Sequence, residues 1–274
     1  MEIREIIKNA IIFPAKNLET LSIYSILLIL QGVFLFEGII TLVFGIVDII
    51  NIVIGAIYIV IAIIITLITG RMSMQCIKSG IDLEEKLPDF EWFSNLGVGF
   101  KKIVITIFYF IIPALITIAI GLVTNIFGTI LYLFDQIIYN IPALFIGNST
   151  SAIDAIYMAS YPLFITLAFT ISASLIIFLI FSFLQWQAEA RLAHTGNLKS
   201  SLNFFRSVRD IKRIGLLRVI ILSVYIYFIV IALQFVIAFI FDHFIILSVF
   251  NIIITPYIVL FSQRALGLLY SDIV

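Results

Sequence analysis

The stretch Gly70–Lys102, GRMSMQCIKSGIDLEEKLPDFEWFSNLGVGFKK, gathers arginine, lysine, aspartate and glutamate into one run. On either side the chain is mostly isoleucine, leucine, valine and phenylalanine. Only 12% of the sequence is charged and 63% is hydrophobic, against about 45–50% apolar in a soluble domain. A single core cannot hide that much apolar surface from water. The charged run is therefore a connection between segments that lie in a membrane.

Working outward, Ile103–Val123, Pro162–Phe183 and Gly215–Ile240 each reach the roughly 20 residues needed to cross about 30 Å of hydrocarbon. The opening MEIREIIKNAIIFPAKN carries Glu2 and Glu5 and has no compact apolar region before a small-residue cleavage site. It does not read as a signal peptide. The single cysteine, Cys76, cannot form an internal disulfide and says nothing about redox compartment.

Net charge is zero, so the information lies in where the charges fall. All 16 basic residues sit in four clusters. Arg4, Lys8 and Lys16 precede the first apolar run. Arg71, Lys78, Lys86, Lys101 and Lys102 belong to the quoted stretch. Arg191, Lys199, Arg206, Arg209, Lys212, Arg213 and Arg218 form the third cluster, and Arg264 stands near the end. The other connections (Glu37–Asp48, Thr124–Ala159 and the Asp242–His243 corner) contain no lysine or arginine. Basic residues in short loops stay on the cytoplasmic side during insertion, so the chain alternates sides. The expectation is an all-α, polytopic integral membrane protein of the cell membrane, with both termini cytoplasmic. Its six transmembrane helices, near 21–43, 48–70, 103–123, 160–184, 215–240 and 244–263, form three hairpins. Trp92 and Trp186 fall at the inner interface, where amphipathic rings are favoured.

The segment 126–146, IFGTILYLFDQIIYNIPALFI, is nearly long enough to cross. Asp135, Gln136 and Asn140 would then sit in mid-bilayer, where an aspartate costs about 2.5–3.5 kcal/mol. Ile126, Ile130, Phe134, Ile137 and Ile141 share one helical face, with Thr129, Gln136 and Asn140 elsewhere. The pattern predicts a helix lying on, or dipping into, the outer surface.

Three cytoplasmic stretches share a form. Ile3, Ile7, Ala10 and Pro14 make one apolar face near the start. Asp89 is placed to cap a helix whose Phe90, Phe93, Leu96 and Phe100 point one way. Phe204, Val208, Ile211 and Gly215 line up, with Arg206, Arg209 and Arg213 as a basic row. Each such interfacial amphipathic segment is followed by a hairpin whose descending span closes on an arginine: Arg71, Arg191 and Arg264. The units run 1–71, 90–191 (with an outer insertion at 124–159) and 199–264, all in one membrane domain, with a repeat axis along the membrane normal. Phe90, Trp92, Phe93 and Trp186 are the expected interfacial anchors.

The order of these features resembles a known family. A glycine-led basic span end is followed by LPDFEW (Leu87–Trp92). Then comes a Gly-Phe-Lys opening (Gly99–Lys101) to a span bearing Pro113. With EARLAHTGNLKSSLNFF and PYIVLFSQRALGLLY later on, the chain resembles a multi-pass membrane family catalogued as domain of unknown function 4013. The resemblance implies a topology and no activity.

Catalytic chemistry is sparse. His194 and His243 fall on opposite sides of the membrane, and HExxH, GxSxG and the phosphate loop are absent from the sequence. Metal-ligand spacing is absent too, so no enzyme activity, metal or cofactor is expected. Pro113 and Pro256 lie inside spans, where proline frees a carbonyl and kinks the helix. Gln31, Gln234 and Asn251 can line a cavity or make interhelical hydrogen bonds. Ala168, Thr170, Ser172 and Ser174 give small-residue spacing for close helix packing. Asn148-Ser149-Thr150 is compatible with glycosylation on the outer side. Lys199, Arg206, Arg209, Lys212 and Arg213 either hold their loop inside or form a lipid-headgroup site, each charge adding about 1 kcal/mol near an anionic leaflet. The expected partners are the bilayer and anionic headgroups, not nucleic acid. A scaffold that organises lipid or a protein partner competes with a permease-like carrier of a hydrophobic molecule beside Pro113 and Pro256.

Overall fold

The computed structural model describes residues 1–45, 48–92, 94–145, 149–240 and 244–274. Within its helices, the side chains of 143–145, 149, 234, 237, 238, 240 and 244–253 fall outside the description. The helices are α1 (Ile3–Ile12), α2 (Leu18–Phe44), α3 (Ile49–Ile81), α4 (Leu96–Val123), α5 (Ile126–Phe145), α6 (Ser149–Thr195), α7 (Leu198–Ser201), α8 (Phe204–Ile214), α9 (Leu216–Ile240) and α10 (Phe244–Tyr270). No strand occurs among the described residues. Five helical segments there are long and apolar enough to cross a membrane: Leu18–Phe44, Ile49–Ile81, Leu96–Val123, Thr150–Thr195 and Leu216–Leu233.

The chain divides into two compact units, Met1–Thr106 with Leu184–Val274, and Ile107–Phe183. In the first, α2 and α3 form an antiparallel hairpin. Tyr24 meets Ser73 (3.2 Å), Thr69 donates to Gln31 (3.1 Å), and the rings of Phe34 and Tyr58 lie 5.8 Å apart. Asn17 caps α2 by accepting from the Thr20 amide, and Asp48 caps α3 by accepting from the Ile50 amide. Helix α10 packs along α3, and α1 rests on α10 and α9. The core here joins Phe13, Tyr24, Met72, Cys76, Leu87 and Leu260. A second cluster holds Leu27, Ile65 and Ile68.

Two close approaches set this packing. A Cβ on Gly99 would fall 2.0 Å from the Leu67 carbonyl oxygen, so α4 starts in backbone contact with α3. A Cβ on Gly267 would fall 2.2 Å from the Ile77 oxygen, which brings α10 equally close to α3. Side chains at either position would force the helices apart.

The amphipathic helix expected from Asp89 through Phe100 does not form. Helix α4 begins at Leu96, and the described residues 83–92 run as loop. One carbonyl of the expected helix is taken from outside it: Arg71 donates to the Glu91 carbonyl (2.6 Å). Just upstream, Asn17 donates to the Leu87 carbonyl (3.5 Å) and Thr20 to the Pro88 carbonyl (3.3 Å), which ties the approach to the start of α2. Asp89 caps nothing and accepts instead from Asn17 and Lys86. In α1 the buried positions are Ile6 and Ala10, continued by Phe13 and Pro14, rather than Ile3 and Ile7.

In the second unit, side chains of α4, of the turn after it and of α5 meet α6. The rings of Phe110 and Phe178 are 5.8 Å apart, Thr124 meets Thr170 at 3.1 Å, and Thr129 meets Thr166 at 3.3 Å. Asn125, with φ of 56°, separates α4 from α5. The expected faces of α5 are corrected. Thr129, Gln136 and Asn140 share its less exposed side with Ile126, Ile130, Leu133 and Ile137, whereas Phe134 and Ile141 are exposed with Leu131, Tyr132 and Ile138. Polar groups gain hydrogen-bond partners by turning toward a neighbouring helix, and apolar groups are left outside.

Helix α6 is 47 residues long, roughly 70 Å at about 1.5 Å per residue. That is more than twice the hydrocarbon thickness of about 30 Å.

Candidate functional site

Three arginines organise the first unit. Arg71, Arg191 and Arg264 are 5%, 7% and 1% exposed. A guanidinium can be buried only if its charge and its N–H groups are met, and its planar fork of five donors suits carbonyl and carboxylate oxygens. Each arginine meets oxygens of segments distant in sequence. Arg71 donates to the Glu91 carbonyl and pairs with the Glu91 carboxylate. Arg191 donates to the Ser200 carbonyl (3.3 Å) and the Arg206 carbonyl (2.6 Å) and pairs with Asp210. Arg264 donates to Asn9 Oδ1 (3.3 Å), Ser79 Oγ (3.2 Å) and the Glu84 carbonyl (2.5 Å), and its guanidinium lies 4.1 Å from the Phe13 ring centre. The loop carbonyls of Glu84 and Glu91 and the helix carbonyls of Ser200 and Arg206 thus gain side-chain donors.

The acids are tuned accordingly. The Ser94 hydroxyl, and then Arg71, hold the Glu91 carboxyl below the usual carboxylate range. Tyr270, beyond the apolar run of α10, donates to Asp210 at 2.9 Å. Burial, with the adjacent Asp210 charge, pushes its phenol up to about 12.

Helix α8 carries the basic row. Asn203 caps it by accepting from the Arg206 amide (3.2 Å), and Gly215, with φ of 99°, ends it and turns the chain into α9. Its buried residues are Ser207, Asp210, Ile211 and Ile214, one position away from the expected Phe204–Val208–Ile211–Gly215 line. Arg206, Arg209, Lys212 and Arg213 are exposed. Arg206, Arg209 and Arg213 border a cavity of about 440 Å³ together with Arg191, Ser200 and Tyr270. Lys199 and Lys212 are not part of its lining. Asp210 is the one acid side chain on that lining, and it is already held by Arg191 and Tyr270. Sequence reasoning passed over Asp210 and Tyr270. The available signal was an aspartate at i+3 from Ser207 and i−4 from Ile214, on the face that α8 buries.

A family model described as a protein of unknown function, DUF4013, matches residues 54–242. The chain belongs to the DUF4013 family. No curated protein and no solved structure matches it. The matched residues of this DUF4013 member include Arg71, Arg191 and the α8 row, while Arg264 and Asn9 lie outside them.

The remaining sequence-predicted residues of the DUF4013 chain are scattered. Phe90 packs against the core clusters of the first unit, and Trp92 is half-exposed on its edge, with ring centres 5.1 Å apart. Trp186 is half-buried in α6, and Phe93 lies outside the described residues. Pro113 and Pro256 are buried in helices that continue through them. Gln31 is engaged by Thr69, and the side chains of Gln234 and Asn251 are outside the description, as are Asn148, Asp242 and His243. Of the small-residue stripe, Thr170 is buried on Thr124 while Ala168 and Ser172 are exposed. Cys76 is fully buried, and Glu37 is exposed.

Proposed function

We propose that this DUF4013 protein is a non-catalytic, six-span scaffold of the cell membrane whose α8 arginines bind anionic lipid headgroups on the cytoplasmic side, where both termini also lie. One observation carries the reading. Arg206, Arg209 and Arg213 border a single cavity whose only acid side chain is already bonded to Arg191 and Tyr270. None of the three guanidiniums is in an ion pair among the described residues, and such groups suit phosphate oxygens, which they engage by paired N–H donation.

The arginine contacts also support an organisation in three repeated units. Arg71 ends the first unit and grips Glu91 in the second. Arg191 ends the second and grips α8 in the third. Arg264 ends the third and returns to Asn9 in the first. Such a ring ties the inner ends of the hairpins together. The outward apolar side of α5, with Leu131, Phe134 and Ile138, suits a helix that dips into the bilayer instead of lying flat on it. No observation favours the permease alternative, since Gln31 is spent on Thr69.

The test is native mass spectrometry of the full chain released from nanodiscs containing phosphatidylglycerol and phosphatidylcholine. Wild type retains phosphatidylglycerol preferentially. Arg206→Gln, Arg209→Gln and Arg213→Gln combined reduce that preference by about fivefold per charge, from about 1 kcal/mol each. Unchanged retention leaves the row with a topological role alone.

A further inference from the structure

A second cavity, of about 460 Å³, opens elsewhere in the first unit. Arg71, Gln75 and Lys78 reach it from α3, Asn95 and Lys101 from the start of α4, and His194 from the last turn of α6. Its size is that of a small-ligand site. The contact of Gly99 with the Leu67 carbonyl, and of Gly70 with Gly99 (3.5 Å from an added Cβ), fixes the start of α4 on α3, and both Lys78 and Lys101 border the cavity.

The lining carries three permanent cations and no carboxylate. Glu91 answers Arg71 from outside the lining. Lys101 spends one N–H on the Gly196 carbonyl at 2.8 Å, leaving two donors of its three. Lys78 is exposed and makes no ion pair among the described residues. Beside these donors, Gln75 Oε1 is buried with no hydrogen-bond partner. A buried acceptor left unpaired is costly, and because Gln75 lines the cavity, a turn of its amide toward that space lets it accept from an occupant. Cations alone would suit any anion. Cations beside an orphaned acceptor suit an anion that also carries a hydroxyl.

We propose that this cavity binds a phosphate ester of a polyol, with Lys78 and Lys101 on the phosphate oxygens and Gln75 accepting from a hydroxyl. The chemistry is shared by a free glycerol phosphate and by a phosphatidylglycerol headgroup. It goes beyond the α8 reading, because neither lysine borders the α8 cavity. His194 borders both cavities and is left unaltered in the test.

Isothermal titration of the detergent-purified full chain with glycerol 3-phosphate and with inorganic phosphate tests the free source. Native mass spectrometry from phosphatidylglycerol nanodiscs tests the lipid source. Saturable binding is expected in at least one arm, and which arm shows it identifies the source. Lys78→Gln, an exposed position that disturbs no core contact, weakens that binding about tenfold, the loss of one charge-assisted hydrogen bond. Lys101→Arg retains it. Gln75→Leu weakens the hydroxyl-bearing probe without weakening inorganic phosphate. In the titration with glycerol 3-phosphate the combined α8 substitutions change it less than twofold, and in the lipid arm the Lys78→Gln loss is read on top of theirs. The proposal is overturned if no probe binds saturably, if Lys78→Gln binds as its parent does in both arms, or if the loss in the titration follows the α8 substitutions instead.

Discussion

Helix α3 carries two different surfaces along one continuous rod. Val53, Ile57 and Val60 are each more than half exposed, whereas Met72, Met74, Cys76 and Ile77 are almost wholly enclosed. The helix has 33 residues, about 50 Å, so roughly 20 Å must project beyond a hydrocarbon layer of about 30 Å. The end that bears Arg71 and Lys78 is the one whose charges favour water. In lipid, apolar side chains gain nothing by leaving hydrocarbon for a neighbouring helix, and little drives them inward. In water the hydrophobic effect and the need to satisfy polar groups both favour enclosure. Ends that meet water therefore form a packed core fastened by arginines, and the shafts remain lipid-facing rods. The contrast locates most of the specific tertiary stability at the arginine end.

Substitutions of decreasing effect probe that contrast. Asp210→Ala strands the buried Arg191 guanidinium and costs about 3–5 kcal/mol, read as a lowered thermal midpoint in detergent. Pairing Arg191→Met with Asp210→Leu recovers part of that loss, because an apolar pair needs no counter-charge while the Ser200 and Arg206 carbonyls and the Tyr270 hydroxyl lose a partner. A cost below about 1 kcal/mol for Asp210→Ala alone would break the contrast at its strongest point. Gly267→Ala drives a methyl against the Ile77 carbonyl and costs about 1–3 kcal/mol by the same measurement.

The Arg71–Glu91 contact adds a pH-dependent term. Glu91 has a lowered folded pKa, so its contribution is fully present above the ordinary glutamate value of about 4.3. It is lost as pH falls through the lowered folded value. The midpoint difference between wild type and Glu91→Gln is accordingly constant from neutral pH to about pH 5 and vanishes under stronger acid. A difference that persisted in acid would mean that the carboxylate charge is not what Arg71 uses. At the other end of α3, Ile57→Val shifts stability by no more than about 0.5 kcal/mol. A larger loss there would show that the shaft also depends on tight packing.

Much of the fold was legible before any coordinate. The apolar runs 103–123 and 162–183 lie within helices, as does 215–240 from Leu216 onward, because length and hydropathy are local properties. Arg71, Arg191 and Arg264 stood out as residues that close a span. That they are buried, and which carbonyls they hold, was not legible, because their partners lie up to 255 residues away. The run Phe90–Phe100 shows the same limit. Its spacing is helical, yet Arg71 takes the Glu91 carbonyl from a distance, and the described residues before α4 stay outside any helix. At the candidate site, the exposed arginines of α8 were readable as a row. Asp210 was not, since an aspartate on an enclosed face is tolerated only when a distant arginine is known to meet it.

The amino-acid sequence alone determined that this is an apolar helical chain with its lysines and arginines gathered into four clusters between apolar runs, since those properties depend only on the residues in each segment and their affinity for water. The tertiary structure alone decided which connection became loop or helix, which cations were enclosed and which stayed open to a ligand. Those outcomes follow from competition for a limited set of backbone carbonyls and carboxylates. Only the folded chain brings the competitors within hydrogen-bonding distance of one another.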